Sequence, residues 1–254
     1  INKAILFIDE IHSLLDSKGS SGNVANLLKP ELARGEITVI GATTQEEYRK
    51  IIEPERAFDR RFEVLLVEEP EEVACVKMIN KILPAYQEHH KVDVDSNALP
   101  DCVKLAKRYS KGKKLPDSAI DLLDRTMASI KMLEEMSEND LKIWRDNYNK
   151  IIEETEESDP LLLDELIWNY NLLKNKLSPI LWGSLSEQHE LDNSMGVSQV
   201  KKIIDDTFEE LIKHAAVKRE KVGKLELAAV MASKTGIPIG KIQSGEKEKL
   251  LNME

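Results

Sequence analysis

Residues 5–10, Ile-Leu-Phe-Ile-Asp-Glu, constrain the fold more than any other segment, because four bulky apolar residues end abruptly in two carboxylates. Such a run is typical of a strand buried on both faces of a parallel sheet, and ligands bind beyond the carboxyl ends of such strands. There Asp9 can hold a hydrated Mg²⁺ on nucleotide phosphates while Glu10 orients and polarises the attacking water. The alternative is that both acids only cap a helix starting at Ile11, and the hexapeptide alone does not decide between the two.

Two further segments place polar side chains at the same predicted edge. A second apolar run, 37–40, ends in Gly-Ala-Thr-Thr, and Thr44 can hydrogen-bond a terminal phosphate or the water that attacks it. Arg60 and Arg61 precede a third apolar run, 64–67, which also predicts a strand. An arginine pair is usually a solvated surface feature. Beside a phosphate site, however, a planar and permanently charged fork stabilises the charge that develops in phosphoryl transfer.

Five blocks of this chain resemble the first AAA+ module of the Clp-type unfoldases and disaggregases, such as ClpB and ClpC. The blocks are 5–15 (ILFIDEIHSLL), 26–37 (NLLKPELARGEI), 39–49 (VIGATTQEEYR), 58–62 (FDRRF) and 115–124 (LPDSAIDLLD). Residues 235–254 resemble the linker that leads to a second AAA+ module. The resemblance covers residues 1 to about 132 and about 222 to 254, and the middle of the chain is weakly matched.

The resemblance implies a role for each polar residue named above. Asp9 and Glu10 correspond to the Walker B pair, with Glu10 as the catalytic carboxylate. Thr44 corresponds to the sensor of the terminal phosphate. Arg60 and Arg61 correspond to arginine fingers, which in this family reach the nucleotide of the neighbouring subunit in a hexameric ring. The implied ligands are ATP and Mg²⁺, with the metal held by Asp9 through water.

The resemblance also points to an adenine pocket in the helical part of the chain. Met78, Ile79, Leu115 and Pro116 fall near positions that line this pocket in the family, although any helical core would use the same residue types. Ser118 is a departure, because the family commonly has lysine there. We therefore assign no nucleotide contact to Ser118.

The chain contains no Gly-x-x-x-x-Gly-Lys-Ser/Thr segment, whose backbone amides and lysine cradle phosphates. It begins without methionine just before the predicted Walker B strand and ends inside the predicted linker. We therefore expect a piece of a larger ATPase that binds ATP and Mg²⁺ weakly and hydrolyses ATP negligibly by itself. A sheet without its phosphate-loop strand has unpaired edges, so we expect the three strands to rearrange, pair with another copy or lose order.

The fold class predicted for the whole chain is mostly α with a remnant parallel sheet. Apolar stripes predict helices at 71–88, 96–109, 116–130 and 225–233. The predicted divisions are the large AAA+ subdomain at 1–69, a helical lid at 70–132 and 222–240, a coiled-coil middle domain at 133–221 and a linker at 241–254. The glycine- and serine-rich stretch 16–23 falls where the family has its second pore loop.

The insert 133–221 is interpreted from periodicity. Apolar residues spaced by three and four predict one helix near 140–152, a second from Pro160 and a third near 200–215, which together form an antiparallel coiled coil or small bundle. In the family, an insert here regulates the ring and receives partner proteins. Trp144 and Trp168 lie on the stripes and are predicted to staple helices. Trp182, in the turn-rich stretch 178–196, is the predicted docking residue.

Composition excludes some classes of function. The 254 residues are 32% charged, with a net charge of -10, which disfavours sequence-independent binding to nucleic acid because that depends on lysine and arginine. Apolar runs are too short to span a bilayer, and the isolated Cys75 and Cys102 are typical of reduced core thiols. These features indicate a cytoplasmic protein without membrane or nucleic-acid partners.

The leading hypothesis is a fragment of an ATP-dependent protein unfoldase or disaggregase that threads polypeptides through a hexameric ring. Its expected partners are unfolded or aggregated proteins, neighbouring subunits and a regulator at the middle domain. A ClpC-like unfoldase that feeds a protease and a ClpV-like recycler of secretion sheaths stay open, because the insert looks longer than that of ClpC and shorter than that of ClpB. The alternative from another class is a non-catalytic helical interaction module.

Overall fold

The structure, a computed structural model, describes residues 5–15, 30–32, 34, 37–135, 138–156 and 160–244. The chain divides into two compact units, one up to Glu68 and one from Glu69 onward. Helices make up most of the described chain, and each unit contains one two-stranded parallel sheet. The predicted fold class is confirmed. The predicted pore loop 16–23 and most of the predicted linker 241–254 lie outside the described residues.

The first unit is organised around a pair of parallel strands. Strands β1 (Ile5–Ile8) and β2 (Thr38–Gly41) pair with Ile5 opposite Thr38 and Ile8 opposite Gly41, so two of the predicted strands are confirmed. Short helical segments follow: a 3₁₀ turn (Ile11–Leu14), α1 (Gln45–Glu47), a π-helical turn (Tyr48–Ile52) and α2 (Arg56–Asp59). Their buried residues Ile11, Ile52 and Phe58 form a small core.

The prediction that β1 is buried on both faces is wrong. Ile5 is 66% exposed and Phe7 63%, whereas Ile8 alone of this strand packs partly against the small core. A parallel strand becomes buried on both faces only when helices cover the two sides of its sheet. In the described part of this unit, the segments after β1 and β2 do not provide that cover.

The prediction of a third strand at 64–67 is also wrong. Its four residues have no strand partner in the described chain, and their exposed fractions run from 57% at Val64 to 91% at Val67. An apolar sequence is not sufficient for a strand, because the backbone also needs a neighbour to hydrogen-bond. The expectation that the three strands rearrange, pair with another copy or lose order stays a prediction, because β1 and β2 form a parallel pair while residues 64–67 have no described strand partner.

Four helices and a short strand pair form one core of the second unit. The helices are α3 (Glu72–His90), α4 (Ala98–Tyr109), α5 (Asp117–Glu135) and α10 (Lys224–Thr235), and the strands are β3 (Asp93–Val94) and β4 (Lys221–Val222). Helix α10 packs against both α4 and α5. All four predicted helices are confirmed with ends shifted by up to five residues, while the two-residue strands carry too little pattern to be predicted.

Both cysteines are free and fully buried in this core, as predicted. The Cys102 thiol donates to the Ala119 carbonyl across 3.3 Å. Burial raises the pKa of Cys102 to about 12. The thiol is therefore protonated and a poor nucleophile at neutral pH.

Three long helices surround a second core in the same unit. They are α6 (Glu138–Glu154), α7 (Pro160–Lys176) and α9 (Val197–Ala215), and each contacts the other two. Tyr148 and Phe208 pack with ring centroids 5.9 Å apart inside this bundle. The predicted small bundle is confirmed. Because both cores belong to one compact unit, the boundaries 70–132, 133–221 and 222–240 stay predictions.

A short helix in the predicted turn-rich stretch joins the two cores. Helix α8 (Pro179–Gly183) places Ile180 in the first core and Leu181 with Trp182 in the second. The buried Ser178 hydroxyl before it donates to the Ser129 carbonyl of α5 across 2.7 Å. The turn-forming residues of this stretch predicted an exposed link, whereas the structure places a buried helix there.

Gly183 allows α8 to approach α10 closely. A Cβ on Gly183 would lie 1.7 Å from the Ala229 carbonyl oxygen, a backbone atom that cannot rotate away. We expect Gly183→Ala to lower the free energy of unfolding by about 1–3 kcal/mol, the usual cost of overpacking. Denaturant titration of the 254-residue chain measures this loss.

The matched control for Gly183 is Gly240, which also lies in a helical turn, at 239–244, but has nothing within 4 Å of an added Cβ. We expect Gly240→Ala to be neutral or to stabilise by up to about 1 kcal/mol, because alanine favours helices. Equal stabilities for the two variants would contradict the close contact between α8 and α10.

Two of the three tryptophan predictions are wrong. Trp182, the predicted docking residue, is only 3% exposed, and its ring meets Tyr170 with centroids 5.6 Å apart. Trp168, the predicted staple, is 64% exposed on α7. Trp144 is partly buried against the second core, as predicted. Periodicity misassigned Trp168 because α7 is apolar on more than one face, and only neighbouring helices decide which face is covered.

No helix in the described part of the chain is both long and apolar enough to cross a bilayer.

Candidate functional site

The carboxyl ends of β1 and β2 meet, as the sequence predicts. The pairing continues past both strands, since the Ala42 amide donates to the Ile8 carbonyl across 2.9 Å and the Ile11 amide donates to the Ala42 carbonyl across 3.0 Å. Asp9 and Glu10 are thereby held at the same sheet edge as Thr43 and Thr44. This edge is the centre of the candidate site.

The two carboxylates lie on a tight, unusual backbone turn. Glu10 has φ 49° and ψ 46°, a left-handed conformation that is uncommon for a residue with a Cβ. The Asp9 carboxylate accepts the Glu10 amide across 3.0 Å, and both side chains are exposed. Strained backbone of this kind clusters at functional sites, and it marks the residue that the sequence analysis assigns to catalysis.

The donor set suits the metal that the resemblance implies. Mg²⁺ in nucleotide sites keeps several waters and takes one or two carboxylates together with phosphate oxygens. Asp9, with its neighbour Glu10, offers exposed carboxylate oxygens at the sheet edge. The residues present therefore fit a water-mediated Mg²⁺ contact from Asp9.

Thr44 has a structural partner that the sequence analysis missed. Its hydroxyl donates to the Glu47 carboxylate across 2.7 Å and accepts the Glu47 amide across 3.2 Å, which forms a capping box at the start of α1. The hydrogen bond from Thr44 holds the pKa of the Glu47 carboxyl below its usual range. The Thr-x-x-Glu spacing of residues 44–47 could have revealed this contact.

His12 extends the same cluster to the β1 side of the edge. Its Nδ1 lies 2.9 Å from the Thr43 hydroxyl oxygen and 3.3 Å from the Glu47 carboxylate. The Thr43 hydroxyl also donates to Glu47, across 3.4 Å. No local pattern predicts this contact, because His12 and Thr43 are 31 residues apart in the chain.

The arginine pair lies at the end of α2. Both side chains are exposed, and the Arg61 guanidinium donates to the Ala57 carbonyl. Helix α2 is anchored by Phe58, which is fully buried. Within the described part of the chain, neither Arg60 nor Arg61 forms an ion pair with a carboxylate, including those of Asp9 and Glu10. Both charges are therefore available to another group.

The four predicted adenine-pocket residues belong to the second unit. Ile79 is fully buried and Leu115 4% exposed, both within the first core of that unit, while Met78 is 48% exposed and Pro116 partly buried. The Leu115 amide donates to the Glu69 carboxylate across 2.9 Å. Their role in nucleotide binding stays a prediction.

Comparison with known proteins identifies two families along this chain. The family described as "ATPase family associated with various cellular activities (AAA)" matches residues 1–67. The family described as "AAA lid domain" matches residues 71–161. The first match contains the joined strand ends and the arginine pair.

Similar full-length proteins are Clp ATPase subunits. The ATP-dependent Clp protease ATP-binding subunit ClpC of Staphylococcus aureus is 33% identical over 252 residues, 98% of this chain. A ClpA homolog of Cyanidium caldarium is 33% identical over 260 aligned residues, all of this chain. Among solved structures, the Saccharomyces cerevisiae Hsp104:casein complex matches 49% of this chain and 21% of its own, at 46% identity and a TM-score of 0.44. The chain spans 28% of the length of the ClpC and ClpA relatives.

Proposed function

Because the chain belongs to the Clp-type AAA+ proteins, we propose that residues up to Glu68 supply one half of an ATP-hydrolysing centre. The observation that carries this proposal is the meeting of the β1 and β2 ends, which puts Asp9 and Glu10 at the same edge as Thr44. The parent protein is then an ATPase that uses ATP and Mg²⁺.

Each residue of the site has a defined task in this proposal. The Glu10 carboxylate accepts a hydrogen bond from the attacking water, aligns it with the terminal phosphate and takes its proton. Thr44 contacts a terminal phosphate oxygen through its hydroxyl. Asp9 holds Mg²⁺ through water, and the metal, when bound, neutralises phosphate charge.

Arg60 and Arg61 act on a neighbouring subunit in the proposal. Their guanidinium groups are exposed and are not neutralised by a described carboxylate. A planar cation that reaches the transferring phosphoryl group from outside accelerates hydrolysis strongly. The sequence predicts a homohexameric ring. In such a ring, each ATP-hydrolysing centre is shared between two neighbouring subunits.

The parent protein uses this hydrolysis to remodel polypeptides. The ClpC relative is named as the ATP-binding subunit of a protease, so unfolding of protein substrates, for degradation or for rescue from aggregates, is the activity that we infer. Met78, Ile79, Leu115 and Pro116 are proposed to support the adenine. A cytoplasmic location is part of the proposal, and the two free thiols agree with a reducing compartment.

A regulatory partner is proposed to use the exposed face of α7. Trp168 and Leu161 are each 64% exposed and lie seven residues apart, hence on one helical face. Tryptophan is enriched among residues that dominate binding energy. Trp168 therefore replaces the buried Trp182 as the docking candidate.

Mixing two inactive variants of the full-length protein tests the shared centre. We expect Glu10→Gln rings and Arg60→Ala/Arg61→Ala rings each to lose hydrolysis, the second by roughly 10³-fold or more. Rings mixed at equal amounts regain about one quarter of the wild-type rate, because one interface in four pairs an intact Glu10 with an intact neighbouring arginine pair. Steady-state phosphate release measures all three samples.

Two outcomes of the mixing experiment contradict the proposal. Mixed rings as inactive as their parents, with exchange of subunits verified, would mean that the arginines do not act across an interface. Absence of hydrolysis by the wild-type protein would reject the ATPase assignment. That second result would favour the non-catalytic interaction module, for which the exposed Trp168 is the supporting observation.

A further inference from the structure

The Glu47 carboxylate contacts side chains from both strand ends of the candidate site. The Thr44 hydroxyl donates to Glu47 Oε2 across 2.7 Å and the Thr44 amide across 3.3 Å, both from the β2 side. From the β1 side, His12 Nδ1 lies 3.3 Å from the same oxygen. One carboxylate oxygen therefore ties the segment after Glu10 to the proposed phosphate sensor.

The cluster is partly shielded from water. The His12 side chain is 15% exposed and the Glu47 side chain 37%. The Thr43 hydroxyl completes a chain of contacts, since it lies 2.9 Å from His12 Nδ1 and donates to Glu47 across 3.4 Å. Shared acceptors of this kind restrict the rotamers of every donor that they bind.

The Thr44 hydroxyl has one proton and can therefore donate to only one acceptor at a time, either Glu47 or a phosphate oxygen. Thr44 donates its proton to Glu47 in this structure, so a contact from Thr44 to a phosphate oxygen requires that proton to turn away from Glu47. Glu47 then keeps the Thr44 amide and the Thr43 hydroxyl as donors. Thr44 therefore changes partner while its backbone stays in place.

We propose that Glu47 and His12 are positioning residues, which hold the Thr44 hydroxyl against the strand end that carries Glu10. This inference rests on the proposed function. Neither residue touches the reacting atoms. Glu47 keeps Thr44 at the start of α1 through the capping box, and His12 couples that box to the turn after β1.

Kinetics of the full-length protein test this role. We expect Glu47→Ala to lower kcat by about 10- to 100-fold, because a displaced contact group costs that much in rate. The KM for ATP changes by less than about threefold, since the interaction acts in the transition state rather than in substrate binding. Glu47→Gln restores most of kcat, because its amide oxygen still accepts the Thr44 amide and the Thr43 hydroxyl, the two donors that remain when the Thr44 hydroxyl turns to the phosphate.

Glu46 provides the matched control. It is exposed and adjacent in sequence, and it pairs with Lys50 of the π-helical turn that follows α1. We expect Glu46→Ala to keep wild-type kcat and KM. If Glu47→Ala does not fold, His12→Ala carries the test, because it leaves the capping box intact and is expected to lower kcat with KM unchanged.

The outcomes separate this inference from the proposed function. If the wild-type protein hydrolyses ATP and Glu10→Gln does not, but Glu47→Ala and His12→Ala match the wild type, the positioning role is wrong and the ATPase assignment stands. Equal losses in Glu47→Ala and Glu47→Gln would also reject positioning through the shared acceptor. A wild-type protein without ATPase activity overturns both proposals.

Discussion

Replacement of Glu10 by glutamine is expected to abolish ATP hydrolysis by the full-length protein while ATP binding persists. Glutamine keeps the size of the side chain but cannot take a proton from water, and loss of a general base costs roughly 10²- to 10⁴-fold in rate. The left-handed backbone of Glu10 fixes the direction of this side chain at the strand end. Phosphate release and binding of a fluorescent ATP analogue are the two measurements.

Glu63→Gln is the control for this experiment, because Glu63 is an exposed glutamate of the same unit that lies outside the candidate site. It is expected to leave both hydrolysis and binding unchanged. Turnover of Glu10→Gln within about threefold of wild type would remove Glu10 from the proposed catalytic role. Loss of ATP binding together with hydrolysis would indicate a structural defect instead of a missing base.

Replacement of Trp182 by alanine is expected to destabilise the second unit more than any other tryptophan substitution. Trp182 is 3% exposed, stacks edge-on against Tyr170 and receives Lys174 Nζ at 5.3 Å from its ring centre. Removal of a buried tryptophan costs about 3–5 kcal/mol. In a unit of this size, that loss lowers Tm by roughly 6 to 20 °C, which circular dichroism of the 254-residue chain measures.

Trp168→Ala is the matched control, since Trp168 is exposed on the neighbouring helix α7. A surface substitution usually changes stability by no more than about 0.5 kcal/mol. We therefore expect wild-type Tm from Trp168→Ala. A larger loss in Trp168→Ala than in Trp182→Ala would contradict the observed burial and restore the assignment predicted from periodicity.

The helices of this chain are predictable because their evidence is local. The apolar spacing in 71–88, for example, predicts a helix with one face buried against the core. Helix α3 does bury Cys75 and Ile79 on such a face. The meeting of the strand ends at Ile8 and Gly41 is also predictable, since parallel strands bring their carboxyl ends to one edge. Local pattern and general topology suffice for both.

Contacts between distant segments are not predictable in this way. Nothing in the sequence pairs His12 with Thr43 or places Gly183 against Ala229. The exposed segment 64–67 is another example. Its apolar residues indicate a strand, but a strand forms only where a neighbouring strand can hydrogen-bond to its backbone.

The sequence by itself determined the order of helices, the two paired strands and the residue types at the candidate site, because these follow from periodicity and from the ends of apolar runs. Only the tertiary structure decided which tryptophan is buried, which apolar run pairs and which acceptor the Thr44 hydroxyl uses. The physical reason is that burial and hydrogen bonding depend on what other segments bring to a residue. The local sequence around a residue does not specify which distant segment will pack against it or hydrogen-bond to it.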